Sequence, residues 1–197
     1  ADRIRACHDA GQQVLAVTAI DPATGQQRVT AMTYCETQDV TNGSCPIVGL
    51  ITAVDGPRAG NTDTVRYAYR MTDEATCAAS PATCPYRKGD LWKTTNALGH
   101  VTEVLRTDGA GRTLSVRDAN GIVTDFVYDP RGRPTATKSR GTDDGSEADD
   151  RITRIEYEAT GTVRRVVPPD GAYTQFEYDA AQRLTAMVDA AGNRMAY

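Results

Sequence analysis

The chain has little of what usually builds a protein core. Among its 197 residues, leucine, isoleucine, valine and phenylalanine together number 32, and tryptophan occurs once. That share, about 16%, lies below the level of packed globular chains. No apolar run approaches the roughly 18 residues that would read as a membrane helix. Only two histidines are present, which argues against a histidine-rich metal site. The opening Ala1-Asp2-Arg3-Ile4 has no apolar signal core, so any secretion signal is expected to have been removed or to lie outside the fragment. Charge of one sign is also missing. A net charge of -4 with a pI near 5.2 argues against a phosphate-binding face, and it is too small to impose disorder by self-repulsion.

A repeat explains the missing core, because stacked units share modest apolar rows with their neighbours instead of filling one centre. The clearest copy is Ala172-Tyr-Thr-Gln-Phe-Glu-Tyr-Asp179, Ala-Ala-Gln-Arg183, Leu184-Thr-Ala-Met-Val188, Asp189-Ala-Ala-Gly192. The same layout stands at Ile122-Val-Thr-Asp-Phe-Val-Tyr-Asp129 with Pro-Arg-Gly-Arg133. It stands again at Val101-Thr-Glu-Val-Leu-Arg-Thr-Asp108, followed by Gly-Ala-Gly-Arg112 and Thr113-Leu-Ser-Val-Arg117. Gly99 to Gly121 and Gly171 to Gly192 set a period of about 21 to 22 residues. Tyr157, Tyr69, Tyr34 and His8 hold the marker place in more divergent copies. About seven units fill 1–197, as a single array that is divergent over 1–98 and regular over 99–197, and Asn193 to Tyr197 open an eighth. The array is therefore expected to continue beyond this stretch.

Each unit reads as strand, tight turn, strand, tight turn. Alternation places Ile122, Thr124, Phe126 and Tyr128 on one face and Val123, Asp125 and Val127 on the other. Met32, Tyr67, Phe126, Ile155 and Phe176, each two residues before a marker tyrosine, are expected to stack as cross-strand ladders. Asp-Ala-Asn-Gly and Asp-Ala-Ala-Gly suit hairpin loops in which Gly takes positive φ. No helical stripe is sustained. The expected fold is all-β: an elongated antiparallel meander of two-stranded repeats with no sizeable helix.

These letters resemble the YD repeat of the RHS-repeat family. Tyr128, Asp129, Gly132 and Arg133 carry the signature, as do Tyr178, Asp179, Arg183 and Gly192. The resemblance is clear over 99–197 and loose over 1–98. It implies a β-sheet that spirals into a hollow shell, as in bacterial RHS proteins, toxin-complex components and teneurins, where bacterial shells enclose a toxic C-terminal domain. The family's self-cleaving core segment has no counterpart here. Asp129-Pro130 and Asp21-Pro22 are read as ordinary turn chemistry.

Five cysteines point to a compartment. Cys35 and Cys45 flank one lengthened loop, Cys77 and Cys84 another, and both second cysteines precede proline. Local pairing predicts disulfides Cys35–Cys45 and Cys77–Cys84, and an oxidising location, secreted or at a bacterial surface. Zinc and free thiols are the competing readings; zinc lacks knuckle spacing and adjacent histidines. Cys7 is left over, either free and buried or paired outside the fragment.

Other constellations are weaker. The acidic run Asp143-Asp-Gly-Ser-Glu-Ala-Asp-Asp150 lacks the order of a calcium loop and reads as a solvated hairpin loop. Asp108-Gly-Ala-Gly-Arg112 has no following helix to bind phosphate. Lys88-Gly-Asp90 occupies a turn, His100 has no nucleophile arranged beside it, and His8 is expected to pack in place of tyrosine. The recurrence of Arg112, Arg133 and Arg183 suggests ion pairs running between adjacent turns. No enzyme, cofactor or metal site is read from the sequence. The leading function is a structural scaffold segment, walling a volume by strand stacking and associating through edge strands with neighbouring repeats or further copies of itself, with a toxin cargo possible in the parent protein. The alternative is a carbohydrate-binding or adhesion module, in which exposed Tyr67, Tyr69, Tyr86, Trp92 and Tyr173 would stack on sugars. A hydrolase or autoprotease is the third, supported only by scattered carboxylates.

Overall fold

The computed structural model describes residues 3–9, 11–58, 60, 62–81, 83–142 and 145–197. Ala1, Asp2, Asp143 and Asp144, which figured in the sequence reading, lie outside the described residues. The chain divides into two compact units, Ala1–Asn120 and Gly121–Tyr197.

The first unit is a meander of β1 (Arg3–His8), β2 (Val14–Ile20), β3 (Gln27–Tyr34), β4 (Ile51–Asp55), β5 (Val65–Tyr69), β6 (Leu91–Thr95), β7 (Val101–Thr107) and β8 (Thr113–Arg117). The second comprises β9 (Val123–Tyr128), β10 (Pro134–Ser139), β11 (Arg151–Tyr157), β12 (Val163–Val167), β13 (Thr174–Tyr178), β14 (Leu184–Asp189) and β15 (Arg194–Ala196). Within each unit every strand pairs antiparallel with its sequence neighbours, in chain order. The fold is all-β. Among the described residues the helical pieces are α1 (Thr37–Thr41) and a 3-10 turn at Ala75–Ala78, one in each cysteine-bearing loop.

Among the described residues each strand touches only its neighbours in sequence, so the sheet of each unit is one layer and has no second sheet to close on. Most strand positions are accordingly half-buried on both faces. Among the described residues the buried apolar side chains are Val123, Ala186 and the four loop cysteines. Such a layer needs backbone that favours extended conformation more than it needs large apolar volume. The 26 threonines and 16 valines supply that preference through β-branching.

Two expectations change here. Met32, Tyr67, Phe126, Ile155 and Phe176 do not face one another. Their cross-strand partners are Val54, Thr94, Thr137, Val166 and Met187, because a returning strand separates successive marker strands. Ile122 is not on the strand face: it lies in the turn before β9 and is 44% exposed.

Candidate functional site

The site that recurs is a turn. At Asp129 the amide donates to the Arg133 carbonyl at 2.9 Å, and the Gly132 amide donates back to the Asp129 carbonyl at 2.8 Å. The Asp129 carboxylate fills the loop: Oδ1 accepts from the amides of Arg131 and Arg133, both at 2.9 Å, and Oδ2 accepts from Arg133 Nε at 2.7 Å. Gly132 has φ +81°, so the loop is closed by a left-handed residue, where glycine avoids a Cβ penalty. Asp108 and Asp179 repeat this geometry with Arg112 and Arg183. Asp189 repeats it with Asn193 next to Gly192, and Asn96 with His100. The carboxyl of Asp129 is held below the ordinary aspartate range, first by the Arg133 amide and then by its guanidinium. At Asp179 the same two groups of Arg183 act in the same order. At Asp108 burial pushes the carboxyl up, and the bonds from Arg112 and Ala110 outweigh it.

The recurring arginines thus pair inside their own turns, at 2.6 Å for Arg112–Asp108 and Arg133–Asp129 and 2.7 Å for Arg183–Asp179. This corrects the expected ion pairs between adjacent turns. The tight loop brings residue i+4 back over residue i, which leaves the neighbouring turn's aspartate to its own arginine. What Arg133 offers the next hairpin is its flat face, stacked 4.1 Å over the Tyr157 ring.

The marker tyrosines do the joining. Tyr34 Oη donates to the Val14 carbonyl at 2.8 Å, Tyr69 to Ile51 at 2.6 Å, Tyr157 to Pro134 at 2.8 Å and Tyr178 to Val163 at 2.9 Å. In each case the acceptor lies directly opposite the preceding marker: Val14 pairs with His8, Ile51 with Tyr34, Pro134 with Tyr128 and Val163 with Tyr157. A register shift stands just before the marker in each of these hairpins, with Leu15, Thr52, Thr135 and Arg164 skipped on the returning strand. Such a bulge strengthens local twist and re-aims side chains. The sequence pattern found the tyrosines but not their acceptors, because a main-chain carbonyl has no residue signature.

Cys35 is joined to Cys45 with Cα atoms 5.8 Å apart, and Cys77 to Cys84 at 4.5 Å. Cys7 is free and exposed, contrary to the buried placement expected; it lies on β1, which has a described partner on one side alone. His8 is exposed as well, so it does not pack as the tyrosines do. The aromatic set expected to be exposed is half-buried. Arg70 stacks 4.0 Å over Tyr86 and 5.0 Å over Trp92, Trp92 Nε1 donates to Glu103 at 2.7 Å, and Arg165 lies 5.0 Å over Tyr173. These rings are engaged by the protein itself.

Asp21 accepts from Ala23 and Thr24 of its own turn, and Asp90, last of Lys88-Gly-Asp90, accepts from the Arg87 amide and Thr107. Among the described residues no cluster of three histidine, cysteine or acidic side chains could hold a metal. Of the acidic run, Glu147 and Asp150 surround Lys138 at 3.3 and 3.7 Å, and Asp149 accepts from the Thr142 amide. No described helix is long and apolar enough to cross a membrane.

In each unit, a one-layer sheet of hairpins, several closed by an aspartate-filled turn and several tied by a tyrosine to the hairpin before, defines a tandem β-repeat protein. Residues 108–143 and 157–194 match the RHS Repeat model, consistent with the RHS/YD-repeat resemblance of the sequence. No curated protein matches it. Among solved structures it is similar to TcdB2-TccC3-Cdc42 (14% identity, TM-score 0.37), TcdB2-TccC3-TEV (15%, 0.36) and TcdB2-TccC3 without its hypervariable C-terminal region (14%, 0.36). Each match covers 93% of this chain and 12% of the other, so the chain spans about an eighth of their length.

Proposed function

We propose that the chain is a wall segment of a secreted RHS-repeat protein, a structural scaffold with no chemistry of its own. The observation that carries this reading is the tyrosine staple. The stapled hairpins spend their recurring polar groups on their own turns and on the hairpin before, and so extend a sheet rather than line a site. Scaffold stability of this kind is a sum of local units and nearest-neighbour terms. The two disulfides support an oxidising, extracellular location. A wall of this kind serves a larger protein by excluding solvent and proteases from what lies behind it, and a toxic cargo is the occupant the family resemblance suggests. Its partners are then neighbouring repeats, other copies of itself, and that cargo.

The test is protease mapping of the longer RHS protein in its native state, with a reporter segment placed after the repeats. The wall reading expects the reporter to survive protease and to become cleavable when Tyr157 and Tyr178 are both changed to Phe. A reporter cleaved at the same rate in both proteins would sink it. A glycan array provides the contrary outcome: specific sugar binding, abolished by Trp92→Ala while the fold persists, would favour a carbohydrate-binding module instead.

A further inference from the structure

The hairpin β7–β8 lacks its staple. Thr107 stands where most of the hairpins carry a marker tyrosine. The loop between β5 and β6 comes to it instead. The Thr107 amide donates to the Pro85 carbonyl at 2.7 Å, and Thr107 Oγ1 donates to Asp90 Oδ2 at 2.8 Å. Arg70, at the root of the same loop, donates from Nη2 to the Val104 carbonyl at 2.9 Å, and Tyr86 lies against its guanidinium. Pro85 and Tyr86 directly follow Cys84, which is 7% exposed and bonded to Cys77.

We propose that the Cys77–Cys84 disulfide and the segment Pro85 to Asp90 that follows it form a locked strap that replaces the absent tyrosine, making the fastening of β5–β6 to β7–β8 redox-dependent while the tyrosine-stapled hairpins stay indifferent to it. The disulfide fixes the place of Cys84, and through it the Pro85 carbonyl that Thr107 needs. On reduction by a dithiol, the Cys77–Cys84 bond breaks and the two sulfurs take up two electrons and two protons. The reductant closes to its own disulfide. Pro85 is then held by a loop free to sample other conformations, and the Thr107 amide loses its fixed acceptor.

Native-state hydrogen exchange on the full chain tests this, comparing the oxidised protein, the protein reduced with dithiothreitol, and a Cys77→Ser/Cys84→Ser variant. Exchange at the Thr107 amide is expected to quicken about tenfold or more on reduction and in the variant, the loss of one buried hydrogen bond. The Asp179 amide in a tyrosine-stapled hairpin is expected to keep its rate. Unchanged exchange at Thr107 on reduction would overturn the strap. So would equal acceleration at Thr107 in a Cys35→Ser/Cys45→Ser variant, because that bond lies in the other loop. Should the Cys77→Ser/Cys84→Ser variant fail to fold, the Cys35→Ser/Cys45→Ser variant compared before and after dithiothreitol isolates the same bond.

Discussion

Tyr178 donates its hydroxyl to the Val163 carbonyl, and Val163 is the residue that pairs with Tyr157, the previous marker. Tyr157 in turn donates to Pro134, which pairs with Tyr128. The hydroxyls therefore form a chain of handovers in which each hairpin reads the register of the one before it. Backbone ladders alone would permit a strand to slip; a side-chain bond to one particular carbonyl does not.

Removing the hydroxyl isolates this contribution. Tyr178→Phe keeps the ring and deletes one half-buried hydrogen bond, so it is expected to cost about 1 kcal/mol. Tyr157→Phe is expected to cost less, since its bond to Pro134 is solvent-exposed. Urea midpoints of the two variants against the parent check this, and a Tyr178→Phe midpoint equal to the parent's would remove the staple from the account.

The turn aspartate is expected to act mainly as an acceptor for amides. Asn96 shows the point, because its Oδ1 accepts from the amides of Leu98 and His100 with no charge involved. Asp129→Asn is therefore expected to lose only the half-buried pair with Arg133, the smaller part of the turn's stabilisation. Asp129→Ala strips both amides of their partner and is expected to cost about 1–2 kcal/mol, as loss of a helix N-cap does. Equal losses in the two variants, measured by denaturant titration, would mean that the ion pair carries the turn.

Much of this was legible in the letters. Tyr178 and Asp179 recur with their spacing because a turn and a staple each demand one residue type. Gly132 recurs because φ is positive there. Other features left no such mark. Val14, Ile51, Pro134 and Val163 share only a carbonyl, which any residue supplies. Arg133 was visible but its partner was not, since position i+4 and the adjacent turn look alike in one dimension. The bond of Thr107 to Pro85 joins a strand end to an irregular loop 22 positions earlier, and its acceptor is again a main-chain carbonyl with no letter to reveal it.

Gln182 occupies the place that Gly132 holds in its hairpin, with φ +61°. A residue with a Cβ pays roughly 1–2 kcal/mol in this region. Gln182→Gly relieves that strain and adds unfolded-state entropy, so it is expected to stabilise by about 0.5–1 kcal/mol net. The converse change, Gly132→Ala, is expected to destabilise by a similar amount. Thermal midpoints moving in opposite directions support this, and a lower midpoint for Gln182→Gly contradicts it.

Acid should loosen the array through its turns. The Arg133 amide lowers the Asp129 carboxyl, the Arg183 amide lowers Asp179, and the Asn193 side chain lowers Asp189. Glu156 is lowered by its bond from Arg165. Each of these groups binds its proton less readily folded than unfolded. Their stabilisation is fully present above the ordinary carboxylate range near 4 and is lost as pH falls through it toward the depressed folded values. Stability is thus expected to decline below about pH 5 and to go on declining to pH 3. Asp129→Asn/Asp179→Asn should flatten that decline, because two of the contributing protons no longer bind. Urea midpoints across this range decide the matter: a parent protein equally stable at pH 5 and pH 3 would show that the turn carboxylates contribute nothing as anions.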